Sequence, residues 1–193
     1  MNKMFKLCYI SLFVLLQMVS VSAQQPDNQT IFSTKNGKVT FRSDAPLELI
    51  TASSPELRGA VDISNRSFTF SLTNRSLKGF NSPLQQEHFY ENYIEAGSYP
   101  VSTFKGKIIE QTDLTIPGNY QIRAKGILDI HGVAQERIIK VNMQVKNGQI
   151  AVTSEFPVPL SDHNITIPRI VYQKIAEEIV VTVEAVLTAG TKK

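Results

Sequence analysis

Along most of this chain apolar and polar residues alternate strictly, and this period of two constrains the fold more than any other feature. Val39 and Phe41 alternate with Lys38, Thr40 and Arg42, and Leu57, Val61 and Ile63 with Arg58, Asp62 and Ser64. Phe68, Phe70 and Leu72 repeat the pattern, and Tyr120, Ile122, Ala124, Gly126, Leu128 and Ile130 carry it along one face. Ile139, Val141, Met143 and Val145 follow, then Ile150, Val152, Ser154, Phe156 and Val158, then Ile179, Val181, Val183, Ala185 and Leu187. Such a run puts its apolar side chains on one face of an extended strand. Asn147-Gly148 between two runs is the strongest short hairpin signal a sequence offers, and Asn36-Gly37 is a weaker one. Pro117-Gly118 and His131-Gly132 punctuate neighbouring strands. Tight turns join antiparallel neighbours, so the pattern predicts a meander.

About eight strands of this kind predict an all-β fold in which each strand has one apolar and one polar face. Strands of roughly ten residues span about 33 Å. Too little helix is present to cover such a sheet, so the sheet must cover itself, as a closed antiparallel barrel or a two-sheet sandwich. An outer-membrane barrel would invert the pattern and carry aromatic girdles; here the polar faces are charged and the girdles are absent. One segment departs from period two. Ser82 at a cap position, Pro83 at the first helical position and Gln85 three residues after the serine open a helix over Leu84–Ala96, ended by Gly97. A second short helix is expected at Ile170–Glu177, after Pro168.

Residues 1–23 read as a secretory signal peptide. Lys3 and Lys6 form its positive start, Leu7–Leu16 is apolar apart from Ser11, and Val21-Ser22-Ala23 supplies small residues for cleavage. Residues 24–30 read as a polar, mobile leader and residues 31–190 as one domain. Removing the signal peptide takes Lys3, Lys6 and the single cysteine, Cys8, and leaves 18 basic residues against 17 acidic ones. The remaining chain has no thiol, so disulfides, cysteine metal sites and cysteine nucleophiles are excluded. The expected location is the periplasm or the exterior.

Sequence motifs for catalysis are missing. There is no Gly-x-Ser-x-Gly, phosphate loop, His-Glu-x-x-His or dinucleotide fingerprint. The basic residues are scattered, which gives nucleic-acid binding no support. His88 lies beside Glu87 and three residues before Glu91, so on a helix His88 and Glu91 could share a metal or act as an acid–base pair; packing at the helix–barrel junction is the simpler role. His131 precedes Gly132 in a tight turn. Asp162-His163 could begin a relay, but no nucleophile accompanies it, and a turn held by Asp162 is simpler. Glu87, Glu91 and Glu95 recur every four residues, as on a solvated helix face. The Asn-x-Ser/Thr triplets at Asn28, Asn65, Asn74 and Asn164 carry no weight in so asparagine-rich a chain.

The order of segments resembles a known family. Phe41 with Ser43 and Ala45 opens the match, followed by Phe68-Thr-Phe-Ser-Leu72, Gln86-Glu-His-Phe89, and Tyr99-Pro100 with Phe104-Lys-Gly-Lys-Ile108. Gly126-Ile-Leu-Asp-Ile-His-Gly-Val133, Phe156, Leu160-Ser-Asp162 and Ile165 complete it. The set resembles the YceI-like family of exported bacterial lipid-binding proteins over roughly residues 31–188. The Gln86–Phe89 and Tyr-Pro-x-x-x-Phe-x-Gly-x-Ile blocks look closest to the Bacteroidetes-type version. The resemblance implies an extended, lipocalin-like, eight-stranded barrel with one or two short helices. It also implies an elongated apolar interior holding a polyisoprenoid, an isoprenoid quinone or another long amphiphile. His163-Asn164 departs from the family, where an aromatic and a glycine often follow the aspartate.

The expected function is therefore sequestration or carriage of a long apolar molecule, with transient membrane contact, no cofactor, no metal and no catalytic residue. The expected wall is Phe68, Phe70, Leu72, Ile122, Ala124, Leu128, Val141, Met143, Val152, Phe156, Val181 and Val183. The helix bearing Glu87, His88, Phe89 and Tyr93 is expected at the mouth, near a polar head group. Small inward residues, Ala124, Gly126, Ser154 and Ala185, leave room for a ligand unless bulky neighbours fill it. Two alternatives stand beside this: an exported enzyme using His88 with Glu87 or Glu91, and a packed structural or interaction barrel without ligand.

Overall fold

A computed structural model describes residues 31–146 and 148–190. The expected signal peptide and expected leader, together with Asn147, lie outside the described residues. Eight strands, β1 Ile31–Asp44, β2 Leu49–Asp62, β3 Ser67–Thr73, β4 Val101–Ile108, β5 Gly118–Ile130, β6 Val133–Lys146, β7 Gln149–Pro159 and β8 Glu178–Ala189, form a closed antiparallel barrel. Each strand pairs with the next in sequence, and β1 pairs with β8 to close the ring. The barrel alternative is thus the correct one. Closure also removes the exposed edges that an open sheet would leave.

The connections sort by end. The loops β1–β2, β3–β4, β5–β6 and β7–β8 stand at one end, and β2–β3, β4–β5 and β6–β7 at the other. Between β5 and β6, His131 and Gly132 take φ values of 54° and 69°, the two left-handed residues of a two-residue hairpin turn. Lys146 pairs with Gln149, so β6 and β7 are antiparallel neighbours; the expected Asn147-Gly148 turn lies partly outside the described residues.

Three expectations need correction. Asn36-Gly37 is not a hairpin turn: it lies inside β1, where the register with β2 slips between Thr34 and Gly37 and again before Val39. An extra residue reverses which parity faces inward. Phe32 and Thr34 are buried before the slip, and Val39, Phe41 and Ser43 after it; across the ladder Ile50, Ala52 and Ser54 give way to Leu57 and Val61. Gly37 sits at the crossover because a Cβ there would lie 2.9 Å from the Cβ of Ala185. Second, the helix is shorter than expected. Ser82 caps it, accepting from Gln85 N at 3.1 Å, but α1 spans only Pro83–His88 before a π-turn, Phe89–Tyr93. Glu95, not Gly97, takes the left-handed terminal position, at φ 44°. Third, Ile170–Glu177 holds a single 3-10 turn at Arg169–Val171.

The barrel is filled at one end and hollow at the other. Phe32, Leu114, Val145, Ile150 and Leu187 plug the end bearing the short connections, and Ile150 and Leu187 are 0 % exposed. Above this plug the inward side chains leave an internal space.

Candidate functional site

The space left by those side chains is a cavity of ≈ 430 Å³ with an almost wholly apolar wall, to which all eight strands contribute. Val39, Ile50, Phe104 and Ile139 line it together with every one of the expected wall residues: Phe68, Phe70, Leu72, Ile122, Ala124, Leu128, Val141, Met143, Val152, Phe156, Val181 and Val183. Of the four small inward residues, Ala124 and Ser154 open onto the cavity. Gly126 and Ala185 serve close packing instead. Gly126 pairs with Gly106, and a Cβ on Gly106 would lie 2.5 Å from the Cα of Gly126; Ala185 rests against Gly37.

Two aromatic groups shape the wall. Phe41, Phe80 and Phe89 pack at centroid separations of 5.4 Å (Phe41–Phe89) and 5.0 Å (Phe80–Phe89) near the helix. Phe68 meets Phe104 at 4.8 Å on the β3–β4 wall. Sequence reasoning placed Phe89 at the mouth but missed Phe80. Phe41 was legible from its alternation, but Phe80 sits in a loop with no period to betray it.

The cavity opens at the end of the long loops, between α1 and the β7–β8 loop. His88, Phe89 and Tyr93 line it there, with Glu48, Gln85 and Lys174. Burial raises the Tyr93 phenol above its ordinary value, so near neutral pH Tyr93 is a protonated donor. Glu48 Oε1 accepts from Asn81 Nδ2 at 3.0 Å and Gln85 Nε2 at 2.9 Å, which ties α1 to the β1–β2 loop. Gln85 Oε1 accepts from Asn81 N rather than from the cap residue.

Glu87 does not belong to the mouth. It is exposed and does not line the cavity. The helix phase is the reason: Leu84, Gln85, His88 and Phe89 form the stripe of α1 and its C-terminal cap that faces the cavity, and Glu87 falls outside that stripe. Among the described residues no ion pair joins His88 to Glu87 or Glu91, and no cluster of His, Cys, Asp and Glu suits a metal. Glu95 is not part of a solvated helix face either; its Oε1 lies 3.2 Å from His131 Nε2, without hydrogen-bond alignment. Asp162 and His163 do not form a relay. Arg137 Nη1 donates to Asp162 Oδ2 at 3.0 Å, and the fully buried His163 donates from Nδ1 to Val133 O at 3.0 Å. Asn74 is also buried, bridging Tyr99 O and Ser102 Oγ.

The wall has a seam between β6 and β7. β6 and β7 pair only from Lys146–Gln149 to Asn142–Thr153, and beyond Thr153 their backbone ladder stops. Side chains cross where the ladder ends. Ser154 Oγ donates to Lys140 O at 2.7 Å, Arg137 Nη2 to Pro157 O at 2.6 Å, and Gln135 Nε2 to Asp162 O at 2.7 Å. Thr153, Ser154 and Phe156, which flank the seam, border the cavity.

The model of the YceI-like domain matches residues 21–187. The chain belongs to the YceI-like family. Solved structures of similar fold include a polyisoprenoid binding domain from Saccharophagus degradans implicated in plant cell wall breakdown, with TM-score 0.70 at 15 % identity, covering 83 % of this chain and 99 % of that one. BcnA from Burkholderia cenocepacia gives TM-score 0.65 at 16 % identity, covering 78 % and 95 %. The Campylobacter jejuni YCEI protein gives 0.54 at 14 %, covering 68 % and 78 %. No curated protein sequence matches this YceI-like chain significantly.

Proposed function

We propose that this YceI-like protein is an exported, non-catalytic carrier that holds one long apolar or amphiphilic molecule in its barrel, with the polar end of that molecule at the mouth. A polyisoprenoid or isoprenoid quinone is the ligand class we favour. The observation that carries the reading is the apolar cavity of ≈ 430 Å³, open beside α1 and closed at the far end. A packed structural barrel has no reason to leave such a space, since interiors otherwise close to crystal-like density. Each buried CH₂ of a chain contributes about 0.8 kcal/mol, so a long tail binds without ion pairs or an array of polar anchors. Tyr93 and His88 supply hydrogen-bonding groups where a head group would rest. The solved relative described as a polyisoprenoid binding domain supports the same ligand class. The apolar run of residues 7–16 followed by Val21-Ser22-Ala23 supports export to the periplasm or beyond, and the Gln86–Phe89 block supports a Bacteroidetes-type origin.

The test is mass spectrometry of an organic extract of protein purified from its own host. A lipid at near-stoichiometric yield is expected, and an empty extract counts against the carrier. His88→Ala separates the enzyme alternative, which expects turnover to be abolished with folding and lipid content intact; for the carrier the variant changes no turnover.

A further inference from the structure

The mouth is surrounded by apolar side chains that face water. Ile170 is 91 % exposed, Leu47 66 %, Leu84 65 % and Tyr172 62 %. Hydrogen bonds hold them together: Leu47 N donates to Gln173 O at 2.9 Å, and Gln85, next to Leu84, binds Glu48, next to Leu47. Leu84 and Val171 also line the cavity, so the apolar surface runs without a break from the exposed rim into the pocket. A patch of exposed apolar side chains rimmed by polar ones marks an interaction site.

We propose that this rim is a membrane-docking surface that seats the barrel mouth-down on a lipid bilayer, inserting Leu47, Leu84, Ile170 and Tyr172 into the headgroup–acyl boundary. The proposal rests on the carrier reading above. A molecule with a long apolar tail has almost no aqueous concentration, so it must pass between bilayer and cavity without crossing water. Only a surface continuous with the cavity provides that path, and the rim is continuous with it. The charges beside these side chains are mixed: Glu48 and Lys174 line the mouth, and Arg169 precedes Ile170 in the chain. Docking is therefore driven by apolar insertion, with Tyr172 at interfacial depth, and does not require anionic lipid.

The chain contains no tryptophan, so one introduced indole reports its own depth. Ile170→Trp is compared with Ile116→Trp, an exposed position in the β4–β5 loop at the opposite end. With phosphatidylcholine vesicles, the indole at position 170 is expected to shift to the blue and to be quenched by brominated acyl chains, and the one at position 116 is not. Vesicle partitioning changes by less than about twofold when salt is raised. The triple variant Leu47→Ser, Ile170→Ser, Tyr172→Ser, none of which lines the cavity, partitions at least about tenfold less while its extractable lipid is unchanged. No vesicle association, equal quenching at both positions, or a salt-released association overturns the proposal. So does a dimer, detected by sedimentation and lost in the triple variant, that forms in place of vesicle binding. Lipid content of the same samples keeps the two readings apart: a loaded protein that ignores vesicles sinks docking alone, and an empty protein that docks sinks the carrier alone.

Discussion

The ring of Phe70 occupies the space that a side chain on Gly59 would fill. The two residues face each other across the β2–β3 ladder, and a Cβ on Gly59 would lie 2.1 Å from a ring carbon of Phe70. Phe70 is thereby held flat against the wall, which keeps the cavity open beside it. Gly59→Ala is expected to push the ring inward, cost about 1–3 kcal/mol and reduce lipid capacity. Phe70→Leu in the same chain restores part of both losses, because the two changes share one volume. Thermal unfolding and lipid extraction measure them; a Gly59→Ala protein with unchanged melting temperature and loading refutes the contact.

Ala124 and Val152 line the cavity on β5 and β7. Ala124→Trp and Val152→Trp fill the space a tail would take, so each is expected to lower the lipid recovered per protein. Val186→Trp, exposed on β8, is the control and leaves recovery unchanged. If both cavity variants keep full lipid content, the binding volume lies elsewhere.

Arg137 replaces the missing ladder between β6 and β7 with bonds to Pro157 O and Asp162 Oδ2. Arg137→Ala is expected to cost about 1–2 kcal/mol, since these acceptors lose a charged donor at a partly exposed site. Hydrogen exchange should accelerate in residues 133–141 and 154–163 and stay unchanged in β5. Uniform acceleration would show that the seam is not a separate unit of stability.

At the far end the Asp62 carboxylate accepts from Ser64 and Asn65 in the β2–β3 turn. The hydroxyl of Ser64 above all holds its pKa below the usual carboxylate range. A pKa depressed by folding contributes stability above the unfolded value, about 3.9, and loses it as the pH falls through the folded value. Asp62→Asn should therefore melt below the native protein at neutral pH, and the gap should close in acid. A gap independent of pH would assign the effect to turn geometry.

What the sequence disclosed follows from where its period was unbroken. β5 keeps one parity from Tyr120 to Ile130, and its inward residues were legible in full. The wall was legible for the same reason, because every expected residue lay on a run without a slip. β2 was read only from Leu57 onward, since its inward parity changes between Ser54 and Leu57 and no contiguous alternation survives. β4 was legible only through its resemblance, because Ser102 and Gly106 dilute its inward face. Glu87 was misplaced because the stripe facing the cavity runs through Leu84, Gln85, His88 and Phe89, and a short helix with apolar residues on two sides does not reveal which stripe that is. The β6–β7 seam is a matter of pairing, and both strands alternate normally through it.

Ile150 and Leu187 close the barrel floor, and that makes the protein a gauge. A tube open at both ends would thread chains of any length, but a blind one has a fixed depth. A tail shorter than that depth leaves a void, and a longer one leaves its excess at the mouth, in water or against whatever covers the rim. Among molecules of identical chemistry, the floor would then choose by length.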